Sequence, residues 1–578
     1  MKLLNHFLLM TALSMLSTQA FSSPEIMGIY GYPDTLGRFD KFEARIALKA
    51  TYENPFDPSE IDIYASFTSP TGKIWKINGF YNYSDWRSLW MLRFSPDEAG
   101  LWQYVLHVKD QTGETDSESI QFVVVPSKYH GPIQVAGNKR YLEYKDGTPY
   151  YGVGFWYNDS YAAFNKGRIE GDELDNLKEL GVNFISNFIT PIETMASGLG
   201  RYDQNICGRL DEVFEMCENR EILISLNLWF HSYLSETVWG GGNIRWQTNP
   251  YQTVTGVKDF FRSEKAWEYQ EMLYRYFIAR WGYSRSLALW FVVDEVNGTD
   301  GWVSGDSLGA AIWGKKVHDY LKENDPYHHL TTGTRSGGIT QFWHEGYQIF
   351  DIASREIYEA QGFAINKKGK VFPQDTHPLT HSYNNYAQEV KKLWDGYEKP
   401  AIIGETGWDH TFYEPGMPGY LAQYHNALWV SLSTGSAMTP FWWAHSNFVN
   451  DNMITNQIRN FRRFTDEIPF SKLTNLARAE VSLSEGDAFG MVSDQLVFGW
   501  VADPKVDVAG DTVTISSLKR GKYKVRIFHT WRGRFIYEEE IETMKKALSF
   551  TIPVLYIEGS HAGYVGNDIA FVVEKLDK

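Results

Sequence analysis

Hydrophobic and polar positions follow two different rhythms along this chain. Between about Ser23 and Val125 they alternate with period two in short segments, among them Phe42–Leu48, Ile61–Phe67 and Trp102–Val108. Turn residues separate the segments, as in Ser95-Pro96-Asp97-Glu98-Ala99-Gly100. Such alternation turns one strand face inward and the other outward, so this stretch is predicted to form a β-sandwich. From about Tyr141 to Arg463 short apolar runs alternate instead with longer helical patterns. The runs are Tyr151–Phe155, Phe184–Phe188, Ile222–Leu228, Leu287–Val293, Ala401–Gly404 and Met438–Trp443. Helices are predicted over Asp172–Leu180, closed by Gly181 as a C-terminal glycine would close it, and over Glu264–Arg280. Repeated strand–helix units of this length predict a (β/α)8 TIM barrel. A doubly wound sheet is the competing arrangement, weakened because the chain has no glycine-rich phosphate loop. Strands return after Leu473, at Thr512–Ile515, Tyr523–Phe528 and Ile569–Val573. The expected architecture is multidomain: an N-terminal Ig-like β-sandwich (23–126), the barrel (127–470) and a C-terminal β-sandwich (471–578).

Residues 1–22 stand apart. Lys2 precedes the apolar stretch Phe7–Leu16, and small residues follow near Ala20. The stretch is too short to cross a bilayer and reads as an export signal, so a secreted or periplasmic protein is expected. No later run reaches spanning length. Cys207 and Cys217 lie ten residues apart in one helical stretch, which holds them ~15 Å apart, too far for a disulfide.

Composition narrows the class. The 578 residues carry a net charge of −16, which argues against a nucleic-acid groove or an anionic membrane as partner. The 21 Trp are an excess that suggests rings set aside for a ligand as well as for packing. His328, His329 and His344 lack metal-ligand spacing, so neither a metal nor a cofactor is expected.

Barrel enzymes carry their chemistry where strands end. Two apolar runs end in a carboxylate: Leu289–Val293 in Asp294-Glu295, and Ala401–Gly404 in Glu405. Glu295 and Glu405 are 110 residues apart, about three strand–helix units, which fits strands four and seven on facing sides of a barrel mouth. Two facing carboxyls are what glycoside cleavage requires: one kept protonated to donate to the leaving oxygen, one kept ionised.

Sequence motifs sharpen this. The segments Asn249-Pro250-Tyr251, Arg280-Trp281-Gly282-Tyr283 and Leu289-Trp290 leading to Glu295-Val296 resemble bacterial clan A glycoside hydrolases, near family 5. Lys399-Pro400-Ala401-Ile402-Ile403-Gly404-Glu405 is similar to their strand-seven motif, and Thr439-Pro440-Phe441-Trp442-Trp443 to strand eight. Met91–Pro96 with Gly100–Tyr104 resembles the sandwich module that often precedes such barrels. The resemblance implies hydrolysis of a β-linked poly- or oligosaccharide with retention, Glu295 acting as acid/base and Glu405 as nucleophile. It implies a sugar platform from Trp442 and a hold on the nucleophile from Tyr358, while Trp408 lies in a long segment where its ring can stack on a sugar or anchor packing. Asn158, Asn187, Asn227, Trp229 and His231 follow strands one to three and are expected to reach subsites. Trp239, Trp246, Trp302 and Trp343 lie in long segments where rings can stack on sugars or anchor packing. Arg335 is read as a partner for an anionic sugar group or as a surface ion pair.

Two positions depart from the family pattern. Asp294 stands where an Asn normally precedes the acid/base, and it would accept from a sugar hydroxyl. Its effect on Glu295 is open, because neighbouring side chains on a strand point to opposite faces. The His-x-Tyr motif near strand six reads Glu356-Ile357-Tyr358, without the His. These departures leave room for a non-catalytic carbohydrate-binding protein on a degenerate barrel. A polysaccharide lyase is the third reading.

Overall fold

Period-two alternation in the front segment is met by strands that bury every second residue. Ile61, Ile63, Ala65 and Phe67 of Ile61–Thr68 face one core with Phe42, Phe94, Trp102 and Phe122. The computed structural model describes residues 23–84, 87–157, 171–186, 190–336, 343–357, 378–407, 420–444, 452–503, 507–555 and 568–576. One front sheet runs in the order Glu25–Tyr30, Phe42–Lys49, Arg87–Phe94, Phe80–Ser84. The other runs Thr35–Gly37, Ile120–Val125, Gly100–Asp110, Ile61–Thr68, Ile74–Asn78. The predicted export signal lies outside the described residues.

The central segment supplies parallel strands separated by helices. They are β1 (Gly154–Tyr157), β2 (Phe184–Ser186), β3 (Leu223–Asn227), β4 (Leu287–Phe291), β5 (Leu330–Thr332), β6 (Ala353–Glu356), β7 (Ala401–Glu405) and β8 (Trp443–Ala444). Six form one sheet in the order β5-β4-β3-β2-β1-β8, and β6 pairs with β7 in a second. Backbone bonds also run between the two groups. Ile352 N–H donates to Thr331 O at 3.2 Å, and Phe441 N–H to Ile403 O at 2.9 Å. Strands buried on both faces read as continuous apolar runs, which is why β3, β4 and β7 are plain in the sequence. The helix predicted to end at Gly181 spans Gly171–Glu179, and Gly181 has φ 91°, a left-handed value that suits glycine. Cys207 and Cys217 are buried, unbridged, and share the helix Gln204–Arg220. Burial pushes both thiols up to about 12, so neither is a ready nucleophile.

At the C-terminal end a six-stranded antiparallel sheet faces a three-stranded one around a separate apolar core. Among the described residues no helix is long and apolar enough to cross a membrane.

Buried polar contacts fasten the front sandwich to the central unit. The guanidinium of Arg93 donates to Asp211 at 2.7 and 3.2 Å, to Glu43 at 2.9 Å and to the Arg280 carbonyl at 3.2 Å. Arg280 donates to the same Asp211 at 2.7 Å. Asp211 is nonetheless desolvated; the two guanidinium groups outweigh that and hold its carboxyl down at about 2. Replacing Arg93 by Met removes these bonds but leaves Asp211 paired with Arg280. Unfolding free energy should fall by about 2 kcal/mol in a denaturant titration, and an unchanged midpoint would show that the joint contributes nothing.

Candidate active site

Four carboxyl groups meet where β4, β6 and β7 end. The backbone of Asp294 still continues the sheet: it bridges Phe230, and its N–H donates to Trp229 O at 2.9 Å. Glu295 then turns left-handed, φ 51° and ψ 56°, ahead of the helical turn Val296–Gly298. A non-glycine residue held there is strained by about 1–3 kcal/mol and needs surroundings that fix it. The turn undoes the opposite-face rule of an ideal strand. Asp294 and Glu295 consequently both lie against His231, with ligand-type atoms of the three within 4.8 Å of one another.

His231 begins the turn after β3 and is 2% exposed. Its Nδ1 is 3.1 Å from Glu295 Oε2, and its Nε2 is 3.3 Å from Asn243 Oδ1. Burial lowers its pKa more than the Glu295 charge raises it, so the imidazole is neutral at neutral pH. A neutral ring that donates from Nε2 to Asn243 presents Nδ1 as an acceptor to Glu295. That tautomer is assigned from the hydrogen-bond partner at Nε2.

Glu405 closes β7 and is 4% exposed. The preceding Gly404 is required by close packing: a Cβ there would meet Ser354 Oγ at 2.1 Å and Thr334 Cγ2 at 2.8 Å. The Gly404 carbonyl accepts from the Trp156 indole at 2.7 Å, which ties β7 to β1 across the interior. Glu356, at the end of β6, is in register with Glu405, and Ile357 N–H donates to Glu405 O at 3.1 Å. Oxygens of Asp294, Glu356 and Glu405 lie within 4.8 Å of one another, and Asp294 and Glu356 are fully buried. Burial, then the Glu295 charge, pushes Asp294 up to about 8. Burial, then the charges of Glu295, Glu405 and Asp294, pushes Glu356 well above the carboxylate range. Either a cation or protons could neutralise such a group.

Other expected contacts fall in different places. Asp294 accepts from the Thr334 hydroxyl at 3.3 Å rather than facing open space. Asn227 and Trp229 are fully buried, and the Trp229 indole donates to Tyr274 Oη at 2.7 Å, so both are interior groups. Trp442 is also fully buried, edge-on to Tyr424, while the adjacent Trp443 keeps part of its ring open. Arg335 is half-buried, lies over the Trp302 ring at 5.7 Å and donates to Ser336 O at 3.0 Å. Trp246 and Trp343 are packing anchors. Trp239 is 49% exposed and stands edge-on to His231 at 4.9 Å, which gives the site one open ring face. Asn158, Asn187, Tyr358 and Trp408 lie outside the described residues.

Sequence reasoning misses Glu356 and Thr334. The signal for Glu356 is its seat in the altered His-x-Tyr motif, where a carboxylate replaces the imidazole. It is hidden because β6 reads Ala353-Ser354-Arg355-Glu356, too short and polar to register as a buried strand.

A family model described only as a domain of unknown function, DUF5060, matches residues 35–109, within the front sandwich. No curated protein matches the chain by sequence. Among solved structures, a presumed glycoside hydrolase from Bacteroides vulgatus aligns over 94% of this chain and 100% of its own, with TM-score 0.64 and 18% identity. An exo-β-1,4-mannosidase, Op5Man5, from an Opitutaceae bacterium aligns over 59% of this chain and 64% of its own, at TM-score 0.44 and 13% identity. A β-glucuronidase of Parabacteroides merdae covers 96% and 76%, at TM-score 0.37 and 10% identity. At these identities the first of them speaks for a shared multidomain architecture of sheets and helices.

Proposed function

We propose that the chain is an exported glycoside hydrolase that cleaves a β-linked poly- or oligosaccharide with retention of configuration. In this reading the eight parallel strands form a (β/α)8 barrel over 127–470, with sandwiches at 23–126 and 471–578. One observation carries it: Glu295 and Glu405, which end two separate parallel strands, meet at one buried carboxyl cluster. The glycoside hydrolase description of the Bacteroides vulgatus structure supports it at the level of architecture.

The chemistry follows from the environments. Glu295 lies 3.1 Å from the His231 imidazole at the edge of the carboxyl cluster, where it is placed to act as the proton donor. It protonates the glycosidic oxygen as the C–O bond breaks. A Glu405 oxygen bonds to the anomeric carbon from the opposite face, giving a glycosyl-enzyme and the free leaving alcohol. Glu295, now ionised, takes a proton from water, whose oxygen bonds to the same carbon and releases Glu405. The open Trp239 ring, beside His231, is suited to stack on a sugar face.

A panel of plant and algal polysaccharides, with products weighed by mass spectrometry and watched by NMR, tests this. The β anomer should appear first and mutarotate later. An α anomer appearing first would mean inversion, and binding without product on every polysaccharide would remove catalysis altogether.

A further inference from the structure

Thr334 counts the protons in the carboxyl cluster. Its hydroxyl has one hydrogen to give and two lone pairs to receive with. The Glu295 N–H occupies one lone pair at 3.0 Å. The remaining neighbours are two acceptor-type oxygens: Asp294 Oδ1 at 3.3 Å and Glu356 Oε1, which is closer still. One hydrogen cannot serve both with full strength. The arrangement is satisfied when the hydroxyl donates to one carboxyl and accepts from the other, which must then carry its own proton. The same conclusion follows from charge. Asp294, Glu356 and Glu405 are almost wholly buried with oxygens within 4.8 Å of one another, and adjacent carboxylates there cannot all ionise.

We propose that Glu356 is a positioning residue that stays a neutral carboxylic acid between Glu295 and Glu405, bonded through Thr334, and thereby lets Glu405 exist as the attacking carboxylate at neutral pH. The inference rests on the hydrolase reading. Glu356 is the member chosen because carboxyl groups flank it on two sides, Asp294 and Glu295 after β4 and Glu405 in register on β7. The cations nearby are otherwise engaged. On β6 itself, Arg355 NH1 is 2.7 Å from Glu389. From β5, the Arg335 carbonyl accepts from Glu356 N–H at 3.5 Å while its guanidinium lies over Trp302. Among the described residues Tyr347, on the helix His344–Ile349, is a further titratable neighbour and is itself held neutral by burial. His231, on the Glu295 side, is neutral as well. Burial and the surrounding carboxylates hold the Glu356 proton in place.

Infrared spectra of the full-length protein read the proton without any substrate. At pH 7 the wild type should show carbonyl stretches of buried carboxylic acids, Asp294 among them, and Glu356→Gln should lose one component. If the wild type shows no such band at pH 7, or gains one only after a chelator removes a bound cation, the proposal is overturned even if the variant fails to fold. Acid bands of unchanged intensity in Glu356→Gln also overturn it. The pH dependence of kcat/KM gives the second arm. Glutamine is as neutral as the acid it replaces, so the acid limb should move by less than ~0.3 unit whatever the change in kcat. If Glu356 were instead an anion, its removal would ease ionisation of Glu405 and move the acid limb down by about one unit. A polysaccharide panel without turnover would sink the hydrolase reading while the infrared result still stood on its own.

Discussion

If Glu405 is the nucleophile as proposed, Glu405→Gln should lower kcat/KM on a cleaved polysaccharide by at least ~10³-fold, which is about 4 kcal/mol of transition-state stabilisation. The size follows from the role: an amide nitrogen or oxygen does not replace a carboxylate as nucleophile, and no covalent intermediate forms. The substitution is nearly isosteric, so the contacts of β7 with Trp156 and Ile357 survive, and circular dichroism should match the wild type. Glu295→Ala behaves differently. It should lose ~10²–10⁴-fold on natural substrates, yet far less on an aryl glycoside whose leaving group needs no proton. Added azide should then restore turnover as a β-glycosyl azide, because small anions can take the place of the activated water. Both variants retaining activity within tenfold of wild type would remove these two residues from the mechanism.

The second large effect is on stability, at the joint between the central unit and the C-terminal sandwich. Asp568 opens the strand Asp568–Lys575 and is fully buried. It accepts from His425 Nε2 at 3.0 Å, the Trp500 indole at 2.9 Å, the Trp531 indole at 2.8 Å and the Thr530 hydroxyl. His425, on the helix Tyr420–Thr434, stacks on Trp531 at 3.9 Å. Asp568→Ala strands these donors without an acceptor, at a cost of about 3–5 kcal/mol. The thermal midpoint of the C-terminal unit should drop by ~15 °C, with Asp568→Asn intermediate because one acceptor oxygen remains. Calorimetry that finds the Ala variant unchanged would contradict this. The same group predicts acid sensitivity. Asp568 is fully desolvated, but His425 and the hydrogen bonds outweigh this and lower its pKa in the folded state. The unfolded chain therefore binds the proton more readily. The stabilisation is complete above the ordinary carboxylate range, ~4, and is lost as pH falls through the lower folded value.

Much of the frame is legible because its causes are local. Alternation of period two marks Ile61–Thr68 and Gly100–Asp110, where one sheet face is buried and the other wet. Unbroken apolar runs mark β3, β4 and β7, which are buried on both faces. Glu295 and Glu405 stand at the ends of two such runs, and that position makes them visible. The strands β5 and β6 escape, since three or four residues containing Thr, Ser, Arg and Glu carry no readable period. The excess of tryptophan serves packing more than the composition suggests. Trp156, Trp229, Trp290, Trp313, Trp343 and Trp442 are core, and the indoles of Trp156 and Trp229 find buried acceptors.

The sequence by itself determined the order of elements, the two cysteines held apart on one helix, and the two strand-end glutamates with their spacing. Those properties depend on neighbours a few residues away or on one repeated unit. Tertiary structure alone decided that Asp294 and Glu295 share a site, because only the left-handed turn at Glu295 brings both toward His231. It alone decided that Glu356 stands beside Glu405, because strand register joins residues 49 positions apart. Protonation is decided there too. A carboxyl group's charge state depends on the burial and on the other charges around it, and in this cluster those charges come from three separate strand ends.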